Sequence, residues 1–167
     1  MAVLADAGIE IVGENRLQDL AAKQAVVDHR FRWHFIGHLQ SRKAPEVSER
    51  CELVHSLSSI SAAKRLSAPA LVEVNLSGEE SKSGVPEERL DAFLDDVRDL
   101  GVEVRGLMTM PPLADDAERS RPFFRRLRGL AADRGLPELS MGTSQDYRVA
   151  VEEGATLVRV GSTVFGR

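Results

Sequence analysis

The chain has 167 residues, of which 43% are hydrophobic and 29% are charged, and it carries a net charge of −4 with an isoelectric point near 5.6. This length suits a single domain with one sizeable core, while the acidic balance and the low aromatic content argue against a nucleic-acid-binding surface. A lone cysteine excludes an intrachain disulfide, and no apolar run reaches membrane-spanning length or forms a signal peptide, so we expect a cytoplasmic protein.

Apolar, β-rich runs alternate with amphipathic runs along the whole chain, and no linker interrupts them. Strands are predicted over 9–13, 32–38, 53–58, 70–76, 102–110, 136–142 and 156–166. Helices are predicted over 16–29, 43–50, 60–66, 86–100, 122–133 and 146–153. Because strands that alternate with helices are joined by right-handed crossovers, the pattern predicts an α/β fold with a parallel sheet.

Polar side chains inside the predicted strands favour a barrel over a doubly wound sheet. The residues concerned are His34, His38, Glu73, Asn75, Arg105 and Arg159. A charge that faced packed helices would be costly to desolvate, whereas a barrel lumen that opens onto a site holds several such groups. We therefore expect a (β/α) barrel with its site at the carboxyl ends of the strands. Trp33 and Phe35, on the face opposite His34, are expected to pack between the barrel and its helices.

Two turns rich in glycine and hydroxyl residues follow the last two predicted strands. In SMGTSQD, Gly142 permits close approach of the main chain, Thr143 and Ser144 supply hydroxyls, and the next helix directs free N–H groups to the same place. In VGSTVFG, residues 161–163 form a second set of small donors. Loops in these positions of a barrel often hold a phosphate, so the pair predicts a phosphate site. The alternative for either turn alone is that Ser144 only caps a helix and Gly161 only packs.

Six long segments of the sequence resemble those of a known protein family. They are GENRLQDL, WHFIGHLQSRK, VHSLSS, EVNLSGEESKSGV, RGLMTMPP and LSMGTSQDYRVAVEEGATLVRVGSTVFG, in one order over essentially the whole chain. Together they resemble the pyridoxal phosphate homeostasis proteins, relatives of the barrel domain of alanine racemase. The resemblance implies one (β/α)8 TIM-type barrel domain over residues 1–167 that binds pyridoxal 5′-phosphate (PLP). It also implies no established catalytic activity, a role in buffering or delivering the cofactor, and PLP-dependent apoenzymes as partners.

The resemblance further implies which residues contact the cofactor, and it implies neither catalytic residues nor a metal. The positions carried over are Asn15, His38, Met141, Gly142, Thr143, Ser144, Arg159, Gly161 and Ser162. Residues of the two turns would hold the phosphate, Asn15 and His38 would lie at the mouth beside the ring, and Arg159 would serve either the ring nitrogen or the phosphate. Thr143 stands where we expect a methionine from the family pattern, and Ser162 where we expect a threonine.

The family's first strand, whose lysine in a word like VSK holds the cofactor as a Schiff base, has no counterpart here. The chain opens with AVLADAGIEIVGEN, which matches the end of the first helix and then the second strand, so about seven strands are expected where a closed barrel has eight. We expect either that translation begins upstream of Met1 or that the sequence is a fragment or a degraded copy. Lys82 lies at the barrel mouth, but Glu79 and Glu80 beside it oppose a lowered pKa, so we expect a solvated loop lysine.

Several polar residues have simpler interpretations beside the functional ones. His34 and His38 are about 13 Å apart in a strand, too far for both imidazoles to bind one metal ion. His55 is expected to be a core or rim histidine rather than a base. Asn15 with Gln18 also fits a helix N-cap and its return partner.

Glu73 with Arg105 or Arg159 fits a plain ion pair in the lumen. Two other function classes stay open at this point. A racemase-like or decarboxylase-like PLP enzyme would need the lysine and usually an added β domain. A phosphate-ligand barrel enzyme of another reaction type would need only the two turns.

Overall fold

The computed structural model describes residues 1–27, 31–79 and 82–166. Its strands are β1 (Ile11–Glu14), β2 (Arg32–Phe35), β3 (Leu53–Leu57), β4 (Ala70–Asn75), β5 (Val85–Pro86), β6 (Val104–Met108), β7 (Glu138–Thr143) and β8 (Leu157–Arg159). Within these ranges they form one parallel sheet in the order β1-β2-β3-β4-β6-β7-β8, and the short β5 pairs with β4 beside that path. The sheet curls into a nearly closed barrel, which confirms the predicted α/β fold class.

Of the helices in the described ranges, six lie between strands as the crossovers require, one precedes β1 and one follows β8. They are α1 (Ala2–Asp6), α2 (Leu17–Val27), α3 (Ala44–Arg50), α4 (Ile60–Ala63), α5 (Leu90–Asp99), α6 (Arg121–Ala132), α7 (Tyr147–Glu152) and α8 (Ser162–Phe165). Short 3-10 turns precede α3, α5 and α6. The predicted end of α2 at 28–29 falls outside the described residues. In the part of the chain that the structure describes, no helix combines the length and apolarity needed to cross a bilayer.

The spacing of apolar residues explains the most regular helix. In α5, Leu90, Leu94 and Val97 recur at intervals of four and three, so they lie on one face, and all three are buried. The helix is followed by Gly101 at φ +80°, a conformation that glycine adopts without steric penalty. Its limits therefore follow from the sequence to within a few residues.

The C-terminal segment differs from its prediction as a strand. Strand β8 ends at Arg159, and residues 162–165 form the short helix α8. The main-chain N–H groups of Gly161 and Thr163 donate to the Ser144 hydroxyl instead of to a neighbouring strand. Gly166 closes the helix at φ +66°. The β-branched residues of TVFG misled the prediction because tertiary hydrogen bonds override local propensity.

The barrel wall separates a large apolar core from a small one. Every second residue of β4, namely Ala70, Val72 and Val74, belongs to the main core between the sheet and the helices. Trp33 and Phe35 are also in this core, as predicted. The lumen has a second cluster of only three fully buried apolar residues, Leu53, Leu71 and Met108, with Leu157 packed against them. Most of the remaining lumen is polar.

Strands β1 and β8 are the two ends of the sheet path, so the barrel is open between them. Both strands are partly exposed, unlike β3, in which every residue is buried. Apolar side chains such as Ile11 and Val158 are 37% and 38% exposed beside this opening. The expectation of seven main strands rather than a closed ring of eight is confirmed for the described residues.

Candidate functional site

The turn after β7 is shaped by one glycine and one aspartate. Gly142 adopts φ +89°, and a Cβ added there would lie 2.5 Å from the Ala150 Cβ and 3.0 Å from the Tyr147 Cα. Only glycine lets α7 approach the strand this closely. The Asp146 carboxylate accepts hydrogen bonds from the Thr143 amide at 2.7 Å and from the Thr143 hydroxyl at 3.1 Å. Thr143 therefore stabilises the turn and directs its donors to Asp146.

The turns after β7 and β8 meet at the hydroxyl of Ser144. Its Oγ accepts from the N–H of Gly161 at 3.1 Å and from the N–H of Thr163 at 3.4 Å. The Thr163 hydroxyl in turn lies 3.5 Å from the Ser144 carbonyl. An oxygen atom is thus already held where the first N–H groups of α8 converge, and an anion oxygen has the chemistry to take the same donors.

Space beside Gly161 completes this cradle. A Cβ built on Gly161 meets no described atom within 4 Å, although Gly161 is next to the point where the two turns touch. A packing glycine would instead have close neighbours around it, as Gly142 does. The pair of turns therefore combines directed N–H donors and a hydroxyl with open space beside Gly161, a set of groups that suits an anion.

Arg159 enters the lumen at the end of β8, and it forms no ion pair with a carboxylate of the described residues. Its Nη1 donates to the Ser140 Oγ, and its Nη2 donates to the Thr109 carbonyl at 2.9 Å and approaches the Met110 Sδ at 3.4 Å. Burial lowers the pKa of Arg159 to about 10, and the more distant carboxylates of Glu73 and Asp146 oppose that shift. The group remains cationic at neutral pH, so the lumen presents a positive charge to whatever enters it.

The alternative of a lumen ion pair between Glu73 and an arginine is wrong. Glu73 is buried, and it accepts a hydrogen bond from the Ser83 hydroxyl at 2.8 Å. Arg105 pairs with Glu103 at 2.7 Å instead. Among the described residues, no ion pair joins Glu73 to Arg105 or Arg159. Alternation along β4 placed Glu73 in the lumen, but it did not predict the partner that the following loop supplies.

Two buried histidines connect Arg159 to the rest of the lumen. His34 on β2 and His55 on β3 face each other with 2.9 Å between the His34 Nδ1 and the His55 Nε2, and the His55 Nδ1 lies 2.8 Å from the Ser140 Oγ. Burial lowers the pKa of His34 to about 4 and that of His55 to about 3. Both rings are therefore neutral at pH 7. His38, by contrast, is exposed beyond the end of β2 and takes no part in this cluster.

The other predicted site residues are distributed around the same end of the barrel. Asn15 is exposed after β1, and Gly37 packs so closely on it that a Cβ would lie 2.0 Å from the Asn15 carbonyl oxygen. This contact brings the Asn15 loop and the loop that carries His38 together. Among the described residues, the Asn15 side chain has no hydrogen bond, so the structure does not show it capping α2.

Two residues differ in setting from their neighbours in sequence. The Met141 side chain is fully buried in the main core between sheet and helices, away from the polar lumen. Ser162 begins α8 and its side chain is exposed. Lys82 lies 3.7 Å from the Glu79 carboxylate in a partly exposed loop, as expected for a solvated lysine, while Glu80 falls outside the described residues.

Sequence reasoning missed Ser140, Thr109 and Asp146 as parts of the site. Ser140 falls within the predicted strand 136–142 and was given no role in the site, yet it is fully buried at the centre of the lumen contacts. The available signal was its place in β7, one residue from the apolar Met141, because alternation sends neighbours to opposite faces. Thr109, whose hydroxyl donates to the Val74 carbonyl at 2.9 Å, gave no such signal.

A cavity opens at the opposite, amino end of the strands. It has a volume of about 240 Å³ and is lined by Ile11, Arg32, His34, Glu52, Leu53, Arg105, Glu138, Thr156 and Leu157. Arg32 is bound to the Glu52 carboxylate through two of its nitrogens, so the charges at this rim largely pair among themselves. His34 reaches this cavity from the lumen, as Leu53 and Leu157 do.

The whole chain, residues 1–167, matches the family model described as alanine racemase, N-terminal domain. It is 41% identical to the pyridoxal phosphate homeostasis protein of Aquifex aeolicus, over 95% of this chain and 77% of that protein. It is 42% identical to the protein of the same name from Pseudomonas aeruginosa, over 96% of this chain and 75% of that one. The chain belongs to the pyridoxal phosphate homeostasis protein family. The resemblance seen in its sequence words is thereby confirmed.

Solved structures agree with this family membership. PipY of Synechococcus elongatus with PLP bound superposes with a TM-score of 0.83 at 35% identity, covering 92% of this chain and 80% of PipY. Alanine racemase from Bartonella henselae with covalently bound pyridoxal phosphate gives a TM-score of 0.76 at 16% identity, over 98% of this chain and 50% of the racemase. The second likeness shows that the family shares the TIM-type barrel of alanine racemase.

Proposed function

We propose that this protein binds pyridoxal 5′-phosphate at the carboxyl end of its barrel and serves in the cell's vitamin B6 homeostasis. The observation that carries the proposal is the meeting of the two turns at Ser144, with N–H donors and open space beside Gly161, and with an arginine at the end of β8 that pairs with no carboxylate among the described residues. The names of the relatives and the PLP bound to PipY support the identity of the ligand.

The described residues divide the work of holding such a ligand. The N–H groups of Gly161 and Thr163 and the Ser144 hydroxyl would bind the phosphate, and Gly142 and Thr143 keep their turn in place. Ser162 and the main chain of Met141 complete the proposed set at the turns.

Arg159 would bind from the lumen side. A guanidinium carries five N–H donors, and three of those of Arg159 already point to protein acceptors, so its Nε–H and one Nη1–H remain for the ligand. Asn15 and His38 are proposed contacts at the mouth, where their loops meet. PLP supplies a reactive aldehyde on an electron-withdrawing ring; this chain's residues bind and orient it.

The proposal extends to the biological setting. Reversible binding of the cofactor suits a protein that holds PLP and passes it to PLP-dependent apoenzymes in the cytoplasm. Transfer from the loaded protein to a purified apoenzyme, monitored by the activity that the apoenzyme regains, tests this part. Regain no faster than with an equal concentration of free PLP would contradict delivery while leaving binding intact.

A matched pair of glycine substitutions tests the binding site itself. Gly161→Ala places a methyl group in the proposed phosphate space, where it touches no described atom of the protein. We expect PLP affinity, measured by absorbance titration, to fall by roughly tenfold or more, since overfilling a site costs about 1–3 kcal/mol. The free energy of unfolding should change little.

Gly129→Ala is the control, because its added Cβ also meets nothing within 4 Å but lies in α6. It should raise the free energy of unfolding by about 1 kcal/mol and leave PLP affinity unchanged. Equal affinities for wild type, Gly161→Ala and Gly129→Ala would overturn the assignment of the phosphate to these turns. Failure of the wild type to bind PLP would overturn the proposed function.

A further inference from the structure

The hydrogen bonds around Ser140 have only one consistent direction. The Arg159 guanidinium has donors and no acceptor, so the Ser140 Oγ must accept from the Arg159 Nη1. The Ser140 hydroxyl owns one proton, and the side chain is fully buried. Within the described ranges, its only other side-chain neighbour at hydrogen-bond distance is the His55 Nδ1, 2.8 Å away. The hydroxyl proton therefore goes to His55, since a buried hydroxyl left without an acceptor would be costly.

This direction fixes the tautomers of both histidines. A His55 Nδ1 that accepts a proton from Ser140 carries none of its own, so neutral His55 must carry its proton on Nε2. The His55 Nε2 then donates to the His34 Nδ1 across 2.9 Å. Neutral His34 in turn carries its proton on its own Nε2. Burial, which lowers the pKa of both rings far below 7, keeps them neutral as this scheme requires.

The last residue in this chain of hydrogen bonds, His34, lies at the amino-end cavity. No described residue accepts from the His34 Nε2, and His34 is one of the residues that line the cavity of about 240 Å³. Three hydrogen bonds thus run in one direction, from Arg159 to Ser140, from Ser140 to His55 and from His55 to His34. It joins three strands, β8, β7 and β3, to β2 across the lumen.

We propose that Ser140 is a positioning residue for the Arg159 guanidinium and that His55 and His34 hold it in that role through this one-directional chain. With its single proton committed to His55, the Ser140 oxygen turns its lone pairs to Arg159 Nη1. Together with the Thr109 carbonyl and the Met110 Sδ on Nη2, it determines which two guanidinium N–H groups are left for a ligand. The inference rests on the proposed function only where it concerns PLP affinity.

The first arm of the experiment needs no ligand. Long-range ¹H–¹⁵N correlation spectra of the imidazoles in the ligand-free wild type at pH 7.5 distinguish the two neutral tautomers from the cation. We expect His34 and His55 both to be neutral with the proton on Nε2. A proton on the Nδ1 of His55, or a cationic ring at either position, would contradict the inferred direction of the hydrogen bonds.

The second arm compares Ser140→Ala with Ser140→Thr by PLP titration. Ser140→Ala removes the acceptor on Nη1 and should weaken PLP binding roughly tenfold, because a hydrogen bond to a charged group is lost. It should also abolish the single Nε2–H tautomer of His55. Ser140→Thr keeps the hydroxyl and should restore both properties toward the wild type; this variant and the ligand-free spectra decide the matter if Ser140→Ala does not fold.

The outcomes separate the two proposals. If the wild type binds PLP but Ser140→Ala changes neither the affinity nor the His55 tautomer, Ser140 is not a positioning residue and the proposed function stands. If the wild type does not bind PLP, the proposed function fails. The histidine tautomers of the ligand-free protein still decide whether the hydrogen bonds run from Arg159 to His34 as inferred.

Discussion

On β7, Met141 is fully buried among the helices, while its neighbour Ser140 faces the lumen and accepts a hydrogen bond from Arg159. The same contrast runs along β4, where Val72 and Val74 join the main core and Glu73 between them faces inward to Ser83. The helix side of the wall excludes water, and the lumen side keeps polar groups hydrogen-bonded to one another. Strand alternation thus lets one short segment serve stability on one side and ligand binding on the other.

The helix side is expected to show the largest effect on stability. Leu107→Ala, at a fully buried position of the main core, should lower the free energy of unfolding by about 3 kcal/mol through lost burial and a residual cavity. Denaturant unfolding measures the change. PLP affinity of the folded protein should remain that of the wild type. A parallel fall in affinity would mean that the two sides are not independent.

The lumen side is expected to show the reverse. Arg159→Met should weaken PLP binding by a factor of roughly 10 to 100, since charge-assisted hydrogen bonds are worth about 1.5–3 kcal/mol. Stability should fall less than in Leu107→Ala, because the desolvation of an unmatched cation is relieved at the same time. Arg105→Met, at the opposite end of the barrel and paired with Glu103, is the control and should leave the titration unchanged.

Acid should destabilise the fold through the two lumen histidines as the pH falls from 6.5 toward 4.5. The pKa values of His34 and His55 fall to about 4 and about 3 in the folded state, below the ordinary value of 6.5, because both rings are buried. The unfolded chain therefore binds more protons in this interval, so the stability present above pH 6.5 is lost as the pH falls toward the folded values.

Calorimetric Tm values across this range test the acid effect before most carboxylates titrate. The slope of Tm against pH in the wild type is the reference for a histidine variant. Substitution of His34 by glutamine should reduce it. A slope that His34→Gln does not alter would place the titrating groups elsewhere than in the lumen.

The smallest effect is expected where the wall is open. Strands β1 and β8 are the ends of the sheet path, and an exposed edge invites pairing with another chain. Val158→Lys should reduce concentration-dependent association in light scattering, since a charged edge opposes such pairing. Val151→Lys, which adds the same charge at an exposed position of α7, should have less effect. Equal effects of the two lysines would point to net charge rather than to the edge.

The strands of the barrel could be predicted from the sequence because each one has its own local pattern of apolar and turn residues. Alternation and turn residues located all seven main strands, and the position of the two glycine-rich turns predicted that they would meet. The last part of the strand expected over 156–166 was wrong, because the structure of this segment depends on Ser144, a residue of another turn. The cofactor was inferred from the motifs that resemble the family, because neither the hydrophobic periodicity nor the composition indicates a particular ligand.

Contacts between residues far apart in the chain could not be predicted from local sequence patterns. His34, His55 and Ser140 are separated by 21 and 85 residues, so only the assembled barrel brings them together. Glu153 was read as part of an amphipathic helix, yet it is buried and accepts from Arg121 at 2.8 Å and Arg125 at 3.0 Å, which ties α7 to α6. In β6 the pairing with β4 skips Arg105, so alternation counted from that residue puts Leu107 on the wrong side.

Backbone amide spectra recorded while PLP is added test most directly whether the two turns hold the cofactor phosphate. The N–H groups of Gly161 and Thr163 now donate to the Ser144 hydroxyl, and a phosphate would take those donors. We expect the largest saturable shift changes at residues 161–163 and at Ser144. Changes that instead concentrate around Arg32 and Glu52, at the amino-end cavity, would contradict the account.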